Sequence, residues 1–107
     1  MTPQNLEALR KAIRHGHVEW RKHVLQRMAE RDIPRAAVLE VLLAGECIEN
    51  YPADKPFPSG LFLGHMGGRA IHAVAALAEE GERVYIITAY EPSLDVFEPD
   101  FRTRRKT

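Results

Sequence analysis

The 107-residue chain contains a single cysteine, Cys47. No disulfide can close within it, which excludes a disulfide-stapled secreted scaffold and leads us to expect a cytoplasmic protein. No apolar run approaches the roughly 20 residues that cross a bilayer, so no membrane association is expected. The opening stretch MTPQNLEALRKAIRHGH lacks the apolar core of a secretory signal. Excess charge of either sign is missing as well, since 15 Lys and Arg balance 15 Asp and Glu. Bulk charge therefore does not carry a nucleic-acid-binding role, and any such role needs a local cationic face.

The common catalytic signatures are absent too. His15 and His17 form an H-x-H pair, and His23, His65 and His72 complete the histidines. None has zinc-type spacing to a second pair and Cys47 stands alone, so neither a metal nor another cofactor is expected. The stretch GHMGG at residues 64–68 lacks the lysine and following helix of a phosphate loop. There is no nucleophile elbow, and no histidine adjoins Cys47 in sequence.

What is present is enough apolar material for one core. Apolar residues make up 45% of the chain, so a single domain over residues 1–107 is expected without any staple. Charge is unevenly spread. Arg10, Lys11, Arg14, Arg21, Lys22, Arg27, Arg31 and Arg35 outnumber Glu19, Glu30 and Asp32 in the first third, and the tail RTRRKT is basic. Acids gather from Glu79 to Asp100. A basic and an acidic face follow, although a solvated helix surface explains the same pattern.

Thr2 and Pro3 read as the start of a first helix, with Leu6, Leu9 and Ile13 on one face and Gly16 at its end. A second helix is predicted over Val18–Arg31, because Trp20, Val24 and Met28 recur at intervals of four. That helix would carry Glu19, His23 and Arg27 in one row. Pro34 opens a third helix with Val38, Val41 and Leu42 buried and Gly45 at its end. Four strands follow: ECIENY with Cys47 and Glu49 pointing one way, LFLGHM, Arg69–Leu77 and Arg83–Tyr90. A final loop carries a short helix after Pro99. The order predicts an α+β domain, its N-terminal helices packed on one face of an antiparallel sheet of about four strands.

Alternation on Arg69–Leu77 puts Ala70, His72, Val74 and Ala76 on one face. On the next strand Val84, Ile86, Thr88 and Tyr90 share a face. With the turn at Glu79–Glu82, opposed residue numbers sum to 161 or 162. The first register sets His72 against Ala89, the second against Tyr90.

The ordered segments HVLQRMAERDIPRAAVLEVLLAGECIENYPADKPFPSGLFLG, RAIHAVAAL and VYIITAYEPS resemble the bacterial family called domain of unknown function 4258. Its most specific pieces here are His23-x-x-x-Arg27, Arg69-x-Ile71-His72, and Ile86 to Pro92. The resemblance spans roughly Trp20 to Arg105, which makes 1–16 an extra N-terminal helix and 17–105 the family core. Phe97 stands where the family more often has tryptophan. The family is similar to RelE-like and barnase-like ribonuclease toxins, which implies a RelE-like toxin fold and metal-independent RNA cleavage, with an antitoxin-like protein partner.

Such cleavage needs a base for the 2′-hydroxyl, an acid for the leaving 5′-oxygen and a cation for the phosphorane. His23 and His72 are the expected acid/base pair, since histidine titrates near neutrality. Arg27 or Arg69 would hold the phosphate, and Tyr90 with Glu91 would complete the catalytic set. Arg31, Arg102, Arg104, Arg105 and Lys106 would hold the RNA backbone. The alternative is a non-catalytic RNA- or protein-binding regulatory module of the same fold.

Overall fold

A computed structural model describes residues 1–78, 80 and 82–106. Helix α1, Pro3–Arg14, starts as its sequence dictates: Thr2 Oγ1 accepts the Asn5 N–H at 3.1 Å, and proline fills the first position, where no donor is needed. It ends at Gly16, whose φ of +77° only glycine adopts freely, with the Gly16 and His17 N–H groups returning to Ile13 and Ala12. Leu9, Ala12 and Ile13 are buried.

The predicted second helix is two elements. Val18–Trp20 is a short strand, β1, and α2 spans Lys22–Glu30. The spacing of four from Trp20 to Met28 misleads because a strand side chain entering the core can precede a helical stripe in step with it. What decides is a long-range partner. Valine and tryptophan suit a pleated surface, and β1 pairs parallel with β5, Trp20 opposite Ile86. The Glu19–His23–Arg27 row is broken accordingly. Glu19 lies on β1 and pairs with Arg83, while His23 and Arg27 stay on α2.

Helix α2 ends in a reverse turn at Asp32, φ +56°, with the Ile33 N–H bonded to the Met28 carbonyl. Helix α3 covers Arg35–Ala44 after Pro34, with Ala37, Val38, Val41 and Leu42 buried. Strands β2 (Glu46–Tyr51), β3 (Ser59–Met66), β4 (Arg69–Leu77) and β5 (Val84–Tyr90) follow. The sheet order is β1-β5-β4-β3-β2. It is a five-stranded mixed sheet rather than an antiparallel one of about four strands, and β1 is the difference. The turn expected at Glu79–Glu82 contains Glu79 and Gly81, which lie outside the described residues, as does Thr107.

The helices cover one face of the sheet. Leu9, Val24, Met28, Val38, Val41 and Leu42 pack there on Phe62, Ile71, Ala73, Ala75, Val84 and Ile86. A smaller cluster of Leu61, Val74 and Phe97, with Ile48 and Tyr51 beside it, occupies the other face. It is covered by the chain after β5. The Glu98 N–H bonds to the Thr103 carbonyl and the Arg105 N–H to the Val96 carbonyl, both at 2.8 Å, so residues 96–105 fold back on themselves. Among the described residues no helix follows Pro99. Asp100 instead accepts the N–H groups of Arg102 and Thr103 and the Thr103 hydroxyl, bonds that hold its carboxyl down at about 2.

Both registers of the β4–β5 hairpin occur. Near the turn, Leu77 pairs with Val84 and Ala75 with Ile86; beyond it, Val74 pairs with Thr88 and His72 with Tyr90. Ile87 is the extra residue, a β-bulge. The bulge corrects the expected facing of β5. Val84 and Ile86 face the helices, while Tyr90 shares the opposite face with His72.

Candidate functional site

His72 sits on the face of β4 turned away from the helices and is fully buried. Its Nε2 lies 2.7 Å from the Phe101 carbonyl, which can only accept, so Nε2 carries the proton. Nδ1 is then the acceptor for the Tyr90 hydroxyl, in a long bond of 3.4 Å. Phe97 packs edge-on against the imidazole at 4.7 Å between ring centres. Burial pushes the His72 pKa down, and Arg104 adds to this; the Phe101 carbonyl and the Glu49 charge oppose it without prevailing. His72 is therefore a neutral imidazole near pH 7. Burial raises the Tyr90 hydroxyl above its ordinary value, with Arg104 and Arg31 pulling the other way, so Tyr90 is a proton donor.

A charged network borders this pair. Glu49 accepts the Tyr51 hydroxyl at 2.6 Å and both Nε and Nη2 of Arg104, at 2.8 and 3.0 Å. The guanidinium also lies over the Phe97 ring, 4.9 Å from its centre. Burial raises the Glu49 pKa, but the bonds from Arg104 and Tyr51 outweigh it and the carboxylate stays ionised. Burial and the bond to Glu49 push Tyr51 up to about 12, and Glu49 raises Arg104 further still. Glu49, Tyr51 and Phe101 were not expected at a site. Cys47 and Glu49 do not point one way, because β2 carries its own bulge: Cys47 pairs with Phe62 and Glu49 with Leu61, leaving Ile48 extra. Alternation within ECIENY gives no sign of that shift.

The other predicted residues are distributed differently. Arg69 donates from Nε to Glu91 at 2.6 Å, from Nη1 to the Asp32 carbonyl at 2.7 Å and from Nη2 to the Arg31 carbonyl at 3.0 Å. Arg69 and Glu91 thus tie the end of α2 to the start of β4 and the end of β5. Arg31 donates to the Ala89 carbonyl at 2.9 Å. His23 is exposed and lines a cleft with Arg21, Lys55, Phe57, Ala76 and Tyr85, a cleft that includes neither His72 nor Tyr90. Ala76 is four residues from His72 on β4, about 13 Å along the strand. The structure does not join His23 to His72.

The basic tail is largely neutralised from within. Arg102 pairs with Glu46, Arg104 with Glu49 and Arg105 with Glu98; Lys106 is exposed. The cations that begin and line α2 differ. Among the described residues Arg21, Lys22 and Arg27 are exposed and form no ion pair. Arg35 lies over the Trp20 ring at 5.6 Å. The local cationic face is thus on α2 and its start rather than on the tail.

Among the described residues no group of three histidine, cysteine, aspartate or glutamate side chains converges as a metal site, and no helix is long and apolar enough to cross a membrane. A family model described as Domain of unknown function (DUF4258) matches residues 20–91, about two thirds of the chain. No curated protein and no solved structure matches.

Proposed function

Because the chain belongs to the Domain of unknown function (DUF4258) family, we propose that it is related to the RelE-like ribonuclease toxins and cleaves RNA without a metal on the sheet face carrying His72 and Tyr90. The observation that carries this reading is their direct pairing across β4 and β5, with Glu49 and Arg104 alongside. His72 Nδ1 takes the 2′-hydroxyl proton. The 2′-oxygen attacks phosphorus, the bond to the 5′-oxygen breaks, and Tyr90 protonates that oxygen. Arg31, whose charge acts on Tyr90 and which lies outside the covering segment, balances the charge on the phosphorane.

In the folded resting state both His72 nitrogens are engaged and residues 96–105 lie over it. Cleavage requires that segment to lift. Contact with RNA begins on the unpaired cations of α2. An antitoxin-like protein that binds the same face is the partner class this reading implies, so expression without a partner arrests growth.

The burial of His72 favours a second reading, a non-catalytic RNA- or protein-binding module in which His72 and Tyr90 fasten the C-terminal segment. One substitution separates the two. In His72→Gln the side-chain amide still donates to the Phe101 carbonyl but takes no proton near neutral pH. Cleaving activity should yield 2′,3′-cyclic phosphate ends in the presence of a chelator and fall by about 100-fold or more in His72→Gln. Wild-type protein that binds RNA but leaves it intact establishes the second reading, and equal cleavage by both proteins removes His72 from catalysis.

A further inference from the structure

The cleft that takes His23 away from His72 has a composition of its own. Phe57, from the loop after β2, stacks on Tyr85 of β5, with ring centres 5.6 Å apart and planes 21° from parallel. The Arg21 guanidinium lies 6.0 Å from the centre of the Tyr85 ring. Lys55 and His23 stand at the same cleft, and Ile87, turned outward by the bulge and 41% exposed, supplies an apolar patch. The acid there, Asp54, is occupied by the Ser59 hydroxyl at 2.6 Å. Arg21 and Lys55 have no ion-pair partner among the described residues. The volume is about 210 Å³, below the roughly 300 Å³ at which sites for whole drug-sized ligands begin. It suits one planar ring system, with the rest of the ligand running outward.

Half-buried aromatic rings edged by cations, as Phe57 and Tyr85 are here, suit single-stranded nucleic acid. Each base has a flat face to stack, and each link carries a phosphate to neutralise. Ala76 and Tyr85, paired across β4 and β5, place the cleft about 13 Å from His72 along β4. The Ile87 bulge links the two places, since it brings His72 opposite Tyr90 and also turns Ile87 toward the cleft.

We propose that this cleft is a base-stacking subsite for single-stranded RNA, taking a nucleobase against Phe57 and Tyr85 and an adjoining phosphate among Arg21, His23 and Lys55. The inference rests on RNA being the substrate and fixes where a nucleotide away from the scissile bond is held.

The test is fluorescence anisotropy with a short, uncleavable 2′-O-methyl RNA over a range of salt. Phe57→Ala weakens binding about tenfold, and Phe57→Trp keeps it, with tryptophan emission quenched on binding. Arg21→Ala lowers the salt slope by about one phosphate contact. Thermal melts confirm that each variant folds. Wild-type binding that is unchanged in Phe57→Ala and Arg21→Ala overturns the subsite while leaving RNA as a ligand. Absence of wild-type binding overturns the subsite and the RNA reading together. Binding with these losses, but no cleavage of ordinary RNA, upholds the subsite and rejects only the catalytic proposal.

Discussion

Arg104 clasps Glu49 through two parallel hydrogen bonds, and this pair closes the C-terminal segment over His72. One partner belongs to β2, an outer strand of the sheet, and the other to the chain after β5, so the contact ties the returning chain to that strand. Part of its strength is lost to water, because the Arg104 side chain is 51% exposed.

Removing the clasp should loosen the cover more than it destabilises the protein. Arg104→Ala is expected to cost about 1 kcal/mol of global stability, the scale of a two-bond pair at a partly wet site. Hydrogen exchange at the Glu98 and Arg105 amides, which hold the segment's own fold, should accelerate well beyond that of the β4 amides. Equal acceleration in both places means that the segment is integral to the domain and does not open separately.

His72 makes stability pH-dependent in a definite direction. Its folded pKa lies below the unfolded value of 6.5. Between the two the unfolded chain holds a proton that the folded one excludes, so stability rises with pH. The contribution is complete above pH 6.5 and is lost as pH falls through the folded pKa. Each unit of separation amounts to about 1.4 kcal/mol. Urea melts from pH 7.5 down to 4.5 should show this loss in wild type and a flatter profile in His72→Gln. Asp100, at about 2, titrates well below that window. Parallel profiles for the two proteins refute the assignment.

Arg69 should prove a fastener. Its three donors engage one carboxylate and two carbonyls at the end of α2. Arg69→Ala is expected to cost about 1–2 kcal/mol, given its partial exposure. Arg69→Lys should recover less than half, since a single ammonium cannot reach three acceptors set around a planar fork. Denaturant midpoints check both. Full rescue by lysine shows that only charge matters at this position.

These contacts mark where the sequence was legible. Arg69–Leu77 was predicted to the residue as a strand, and α1 and α3 nearly so, because caps, prolines and apolar periodicity are local signals. Val18–Trp20 was misassigned because its strand state depends on an edge of β5 more than sixty residues away. The pairing of His72 with Tyr90 was one of two open registers. A bulge admits both in one hairpin, and bulges answer to packing on the two faces rather than to local pattern. The site suffered from the same limit. Its residue types were recognised in His72 and Tyr90, but Glu49, Tyr51 and Phe101 join them only through a second bulge and the returning tail.

A close backbone approach at Gly45 leads to the last prediction. A Cβ on Gly45 would lie 2.3 Å from the Val41 carbonyl oxygen and 2.4 Å from that of Leu63. Both are main-chain atoms, one ending α3 and the other on β3, so no rotamer change relieves the clash. Gly45→Ala should separate α3 from the sheet and cost about 2–3 kcal/mol. Gly68→Ala, where nothing lies within 4 Å, is the matched control and should change stability by less than about 0.5 kcal/mol. Because α3 packs on the helix-covered face and His72 on the other, Gly45→Ala should lower the melting temperature without altering RNA affinity below it. A change in affinity at temperatures where the variant is fully folded shows that the two faces are coupled through β3.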